Sequence, residues 1–169
     1  MQDYEIRDVM NRVKHPELQV GLSVERVQYR RFTPIGREET EQGIEVHISL
    51  ANLGTIFVRY AHAEVLFPYG MIHSNARDKG NAIQDGPLRR MMISVTNQRI
   101  PRKEPMTGAP LGEPYYAPIL PTLTHRFKSI RLHDDWADFR QCDVLWLTHA
   151  DSAPTRTGTI RVESLLKKR

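Results

Sequence analysis

The sequence predicts a mainly β protein, an antiparallel sandwich preceded by one short helix, on three observations. Apolar residues recur with a period of two in seven or eight short runs, the connections are irregular and rich in proline and glycine, and a helical period shows only before Pro16. Short alternating runs are strands with one wet face, and several of them bury their apolar faces by packing two antiparallel sheets together. The chain has 169 residues, 40% of them hydrophobic and 26% charged. That is the size and mix of one domain with one core, so residues 1–169 are read as a single domain, with the helix in 1–16 and the sandwich in 18–165.

Ile6, Val9, Met10 and Val13 stand at helical spacing, with acidic residues early and Arg12 and Lys14 late, as the helix dipole prefers. Pro16 ends the pattern. A helix with one apolar stripe needs a surface to cover, so these four residues are the candidate contact with a protein partner. Leu18, Val20, Leu22 and Val24 then alternate as the first strand. Thr33-Pro34-Ile35-Gly36 with Glu38, Glu39 and Glu41 carries breakers and like charges, and is predicted to be an exposed loop.

Ile44, Val46, Ile48 and Leu50 point one way and Glu45, His47 and Ser49 the other, which is the clearest strand in the chain. Asn52-Leu53-Gly54 supplies residues tolerant of positive φ for a turn, and alternation resumes from Phe57 to Phe67 through Ala61, Ala63, Val65 and Phe67, ending at Pro68-Tyr69-Gly70. Two strands so joined make a hairpin or an arch between sheets. The polar stretch from His73 to Asp85 reads as a mobile loop, followed by a strand at Met91, Ile93 and Val95. Residues 101–121 hold six of the eleven prolines, which excludes a helix or central strand and predicts a semi-rigid crossing over a sheet edge. Beyond it come a strand through Phe127, Ile130 and Leu132, a turn at His133-Asp134-Asp135-Trp136, and a strand at Val144 to Leu147 that reads as buried on both faces. A last strand covers Thr159 to Glu163, with a fraying end at Leu165 to Arg169.

The motifs of known chemistry are missing. The seven histidines include no close pair of the zinc-binding kinds, and neither a Cys-x-x-Cys nor a phosphate-cradling glycine motif occurs. No metal and no cofactor is implied. A hydrolase using His133 and its neighbouring carboxylates ranks last. Cys142 reads as a small residue at the start of a strand.

The formal charge is +4. Residues 1–84 carry 10 basic and 11 acidic side chains, residues 85–169 carry 14 and 9, so the excess lies in the second half. The pairs Arg30-Arg31 and Arg89-Arg90 flank predicted strands and Arg99, Arg102 and Lys103 surround Pro101, a basic rim with Tyr29, Phe32, Tyr115 and Tyr116 near it. Arg89, Arg90, Arg99, Arg102 and Lys103 of the basic second half are therefore the candidate nucleic-acid contacts. One cysteine, no leader-like N-terminus and no long apolar run point to a cytoplasmic protein outside the membrane.

Three stretches carry a family resemblance. Ile44 to Gly54 continuing to Val65-Leu66-Phe67-Pro68 resembles the strand, Asn-x-Gly, strand, apolar-Pro element of bacterial immunoglobulin-like sandwiches. Tyr116-Ala117-Pro118-Ile119-Leu120-Pro121 before Ile130-Arg131-Leu132 is similar to the plug and strand that follow. Val144 to Pro154 with Gly158 resembles the closing element. This order, from about Leu18 to Leu165, resembles the C-terminal region of bacterial proteins whose N-terminal part is a Schlafen AlbA-type DNA-binding domain. The resemblance implies an immunoglobulin-like sandwich serving as a non-catalytic accessory or interaction domain of a bacterial regulatory assembly. It carries over no site residues, because the matched positions are turns and strands. A protein partner or self-association is expected first, and nucleic-acid binding through the basic face is the alternative.

Overall fold

The structure is a computed structural model that describes residues 16–97, 99–100, 102–110, 112, 115–151 and 153–167. The expected helix of residues 1–16, with Ile6, Val9, Met10 and Val13, lies outside the described residues apart from Pro16. Among the described residues ten strands form two main sheets and a small ribbon. The first sheet orders β1 (Leu18–Phe32), β2 (Glu38–Asn52) and β8 (Thr124–Arg131) as β1-β2-β8. The second orders β10 (Arg156–Arg161), β9 (Asp143–Ala150), β3 (Ala61–Pro68), β5 (Leu88–Thr96) and β4 (Asn81–Asp85) as β10-β9-β3-β5-β4. The ribbon pairs β6 (Arg99–Ile100) with β7 (Tyr115–Tyr116), and every pairing is antiparallel.

Alternation in the strands decides what meets in the middle. Val20, Leu22, Val46, Ile48, Leu50 and Ile130 from the first sheet share one buried cluster with Ala63, Val65, Phe67, Ile93, Val95, Val144 and Trp146 from the second. The β2–β3 connection is thus an arch between sheets, one of the two arrangements the sequence left open. Gly158 lies opposite Trp146 on the neighbouring strand, and a Cβ there would overlap the indole. The strand must carry glycine for Trp146 to stay buried.

Four expectations need correction. Glu38, Glu39 and Glu41 belong to β2 and not to a loop; the turn is Thr33–Arg37, closed by the Arg37 N–H on Thr33 Oγ1 at 3.1 Å, with Gly36 at φ +77°. Residues 73–85 form a 3-10 turn, Ser74–Lys79, and the edge strand β4. Both segments escaped notice for one reason: a strand without a buried face leaves no alternation to read. Val144 to Leu147 buries only one face, Val144 and Trp146, while Leu145 and Leu147 are half-buried. The last strand ends at Arg161, and Val162–Leu166 is a short helix, α1, that buries Val162 and Leu165 in place of a frayed end.

Among its described residues the 101–121 segment holds the two-residue strand β7, paired with β6 just before the segment, and isolated bridges, among them Val58 with Ile119, as its prolines require. The turn at His133 leads into a 3-10 turn, Trp136–Phe139, that buries Trp136. No helix among the described residues is long and apolar enough to cross a membrane.

Candidate interaction surfaces

β1 and β2 pair along their whole length, from Leu18 opposite Asn52 to Phe32 opposite Glu38, but β8 pairs only with Glu45 to Ala51. The face that buries Leu18, Val20 and Leu22 continues with Arg26, Gln28, Arg30 and Phe32. Those residues have no second sheet to cover, and from there outward the hairpin is a two-stranded arm. Its base is fastened on the outer face. The Tyr29 hydroxyl donates to Glu45 Oε1 at 2.6 Å, the Arg131 guanidinium stacks 4.6 Å from the Tyr29 ring centre, and Arg131 also donates to Glu41 at 2.5 Å. Gly43 leaves the space into which the Tyr29 ring lies. Burial, then the Glu45 hydrogen bond, pushes the Tyr29 phenol far above its ordinary range, while the Arg131 hydrogen bond holds the Glu41 carboxyl below the usual carboxylate value.

Between residues 27 and 43 three arginines, Arg30, Arg31 and Arg37, face three glutamates, Glu38, Glu39 and Glu41. Arg30 and Glu38 pair at 3.4 Å. The arm is charge-balanced, and what it presents at its end is apolar: Phe32 is 72% and Ile35 77% exposed.

Most of the other exposed large apolar side chains lie at the opposite end. Leu53, Phe57, Tyr60, Leu120 and Leu123 sit on two loops that hang on two buried asparagines. Asn52 accepts at Oδ1 from the N–H groups of Glu17 (3.3 Å) and Gly54 (3.0 Å), and its Nδ2 donates to the carbonyls of Ile56 (2.8 Å) and Ile119 (3.1 Å). Asn97 accepts from the Ala61 N–H (3.1 Å) and donates to the carbonyls of Arg59 (2.6 Å) and Ala117 (2.7 Å). Each asparagine ties the 56–61 segment to the 117–119 segment. Between these segments opens a cleft of about 450 Å³ lined by Phe57, Arg59, Arg102, Tyr116 and Pro118. The Tyr60 and Tyr116 rings meet edge to face at 5.1 Å, and the Arg59 guanidinium lies 5.7 Å from the Phe57 ring centre.

As a turn residue Asn52 is expected to act through positive φ. Gly54 and Asn52 do not have positive φ; the residue works through its amide, which satisfies four backbone groups of irregular segments. Asn97 and Arg59 carry no signal in the sequence, Pro118 enters only as a structural position of the proline-rich crossing, and Phe57, read as the start of a strand, precedes β3, which begins at Ala61. Polar-to-backbone clamping between segments 20 to 67 residues apart leaves no periodic trace.

The five basic residues do not converge. Arg89 is exposed, with its guanidinium 4.0 Å from the Tyr69 ring centre, where Arg77 also stacks at 4.4 Å. Arg90 is buried and structural: it donates to Asp85 Oδ2 (2.6 Å) and to the Asp143 carbonyl (2.8 Å), joining β4, β5 and β9. These two lie where β5 passes Pro68, whereas Arg102 lines the cleft at the other end of β3. The backbone of Arg99 pairs with Tyr116, and exposed Lys103 bridges Pro110. Tyr29 belongs to the arm base and Phe32 to its tip, far from the cleft.

His133 accepts at Nδ1 from the Asp135 N–H at 3.3 Å, lies 3.7 Å from the Asp135 carboxylate and stacks with His73 at 6.3 Å between ring centres. Among the described residues no hydroxyl or thiol is hydrogen-bonded to it. Burial, and then the neighbouring Arg131 and His133, lower the affinity of His73 for a proton. No group of three or more His, Cys, Asp or Glu among the described residues is placed to hold a metal, and Cys142 is a half-buried free thiol. No family model, curated protein or solved structure matches this chain.

Proposed function

We propose that the chain is a non-catalytic interaction domain that works by protein contact, within an oligomer or a larger regulatory assembly. The observation that carries this reading is the arm, a charge-balanced ribbon ending in exposed Phe32 and Ile35. An isolated two-stranded ribbon is marginal in water, and an apolar tip held out in solvent gains free energy when a partner covers it. Its balanced charge favours a protein surface over a polyanion.

The strand order supports an immunoglobulin-like reading. The first, second and eighth strands share one sheet, and in the other β9 lies beside β3 with β10 on its far side, as in sandwiches whose front sheet is extended at one edge. The resemblance to the C-terminal region of bacterial AlbA-type regulators is the ground for the regulatory setting.

The test is the size of the native particle. In an extract of its source cells the intact chain is expected to elute well above its 19.6 kDa, and a Phe32→Asp, Ile35→Asp variant to fall to the mass of the free chain. An intact chain that elutes as a monomer in the extract overturns the reading.

A further inference from the structure

A sheet edge exposes a row of unpaired backbone groups, and folds blunt their edges with charges, prolines, bulges or short strands. Among the described residues the two main sheets end in β1, β8, β4 and β10, and all but β1 are blunted in this way. β4 and β10 have only five and six residues, and β8 carries Arg126, Lys128 and Arg131 and a bulge opposite Ile48 and Ser49. The register of β1 with β2 is unbroken over 15 residues, and residues 18–24 contain no charge and no proline. The Leu53 N–H donates to the Glu17 carbonyl at 2.7 Å. By antiparallel alternation the odd-numbered residues of β1 then bond to β2, and Leu18, Val20, Leu22, Val24 and Arg26 turn their N–H and C=O groups outward. Among the described residues nothing bonds to those groups, and an open groove of about 300 Å³ between Gln19 and Leu22 on one side and Ile160, Ser164 and Leu165 on the other leaves the edge within reach.

We propose that β1 pairs edge to edge with β1 of a second copy of this chain, antiparallel about a two-fold axis at Leu22. The inference rests on the protein-contact reading and names its partner. The axis pairs Val20 with the partner's Val24 and Leu18 with the partner's Arg26, and it sets Gln19 opposite the partner's Glu25, an amide against a carboxylate. An axis at Gly21 would oppose Glu17 to the partner's Glu25, like charge to like; one at Ser23 would leave Glu25 facing the partner's Gly21. Direction supplies a second argument. Leu53 stands level with Glu17 before the start of β1, and Phe57, Leu120 and Leu123 are exposed at the same end. In the antiparallel pair each arm runs on past the partner's Leu18 toward that apolar end, so one symmetric contact covers both exposed surfaces. The edge bonds replace bonds to water and contribute little net. They set the register, and burial of the arm tips supplies the affinity.

The test is sedimentation equilibrium of the purified intact chain beside its Gln19→Glu and Gln19→Lys variants. Gln19 is exposed, so neither change disturbs the fold, which circular dichroism checks. The chain is expected to sediment at twice its 19.6 kDa. Gln19→Glu, facing the partner's Glu25 on both sides of the axis, is expected to weaken the dimer about fivefold, and Gln19→Lys to tighten it about fivefold. A purified chain that stays monomeric at high micromolar concentration overturns the second copy as partner; if the chain still elutes large from a cell extract, the protein-contact reading stands and the partner is another protein. A dimer that both Gln19 variants leave unchanged, or move in the same direction, overturns the β1 edge as its interface.

Discussion

Replacing Asn52 by alanine removes four hydrogen bonds and leaves the buried Ile119 carbonyl, the half-buried Ile56 carbonyl and two N–H groups without their partner. A net hydrogen bond contributes about 1 kcal/mol and an orphaned buried group costs about 1–3 kcal/mol, so Asn52→Ala is expected to destabilise the fold by about 2–4 kcal/mol in urea unfolding, with Asn97→Ala close behind. Phe57→Ala, at a half-exposed wall of the same cleft, is expected to change stability by less than about 1 kcal/mol. His73 gives a pH signature. Its folded-state pKa lies below the ordinary 6.5, so the unfolded chain binds the proton first and stability declines as pH falls below 6.5. The Arg126 hydrogen bond on Glu25 and the Arg131 hydrogen bond on Glu41 depress those carboxyls below 4.5. Their stabilising effect persists until pH falls below 4.5 and is then lost toward their folded pKa values. Between pH 6.5 and 4.5 a His73→Asn variant, which keeps an acceptor for the Asn75 N–H, is expected to show a flatter dependence of unfolding free energy on pH than the intact chain.

At the scale of elements, strands with a buried face were legible and strands without one were not. Ile44 to Leu50 announced β2 by alternation, but its outer third, Glu38 to Gln42, is paired only with β1 and exposed throughout, so its sequence reads as a loop. The same holds for β4. Where alternation stops, after Val24, marks where the second sheet ends and the arm begins, which is a structural fact readable in the sequence once both strands are known. Because the arm beyond Ile44 buries no core residue, replacing residues 28–42 by a short turn is expected to shift the melting temperature by no more than about 4 °C while abolishing assembly. Trypsin is expected to cut the free chain first at Arg30, Arg31 or Arg37, and the assembled chain elsewhere; an arm that resists cleavage in the free chain would contradict its independence from the body.

For the whole molecule, the sandwich follows from the sequence because its core is periodic: six inward residues of β1 and β2, Leu18, Val20, Leu22, Val46, Ile48 and Leu50, are all visible as period two. The candidate surfaces are less legible because they depend on what the fold brings together. Phe57 and Tyr116 stand far apart in the chain, and only the Asn52 and Asn97 clamps make them two walls of one cleft. The arm tip and the cleft lie at opposite ends of a hairpin whose 15-residue strands span roughly 45–50 Å. The central claim, that the arm tip is covered by a partner in the cell, is tested most directly by photo-crosslinking from position 35. A benzoylphenylalanine installed at Ile35 and irradiated in living source cells is expected to give a discrete adduct larger than the chain, absent when the same group replaces Gln84 on the β4 edge. No adduct from position 35 beyond that seen from position 84 would contradict the account.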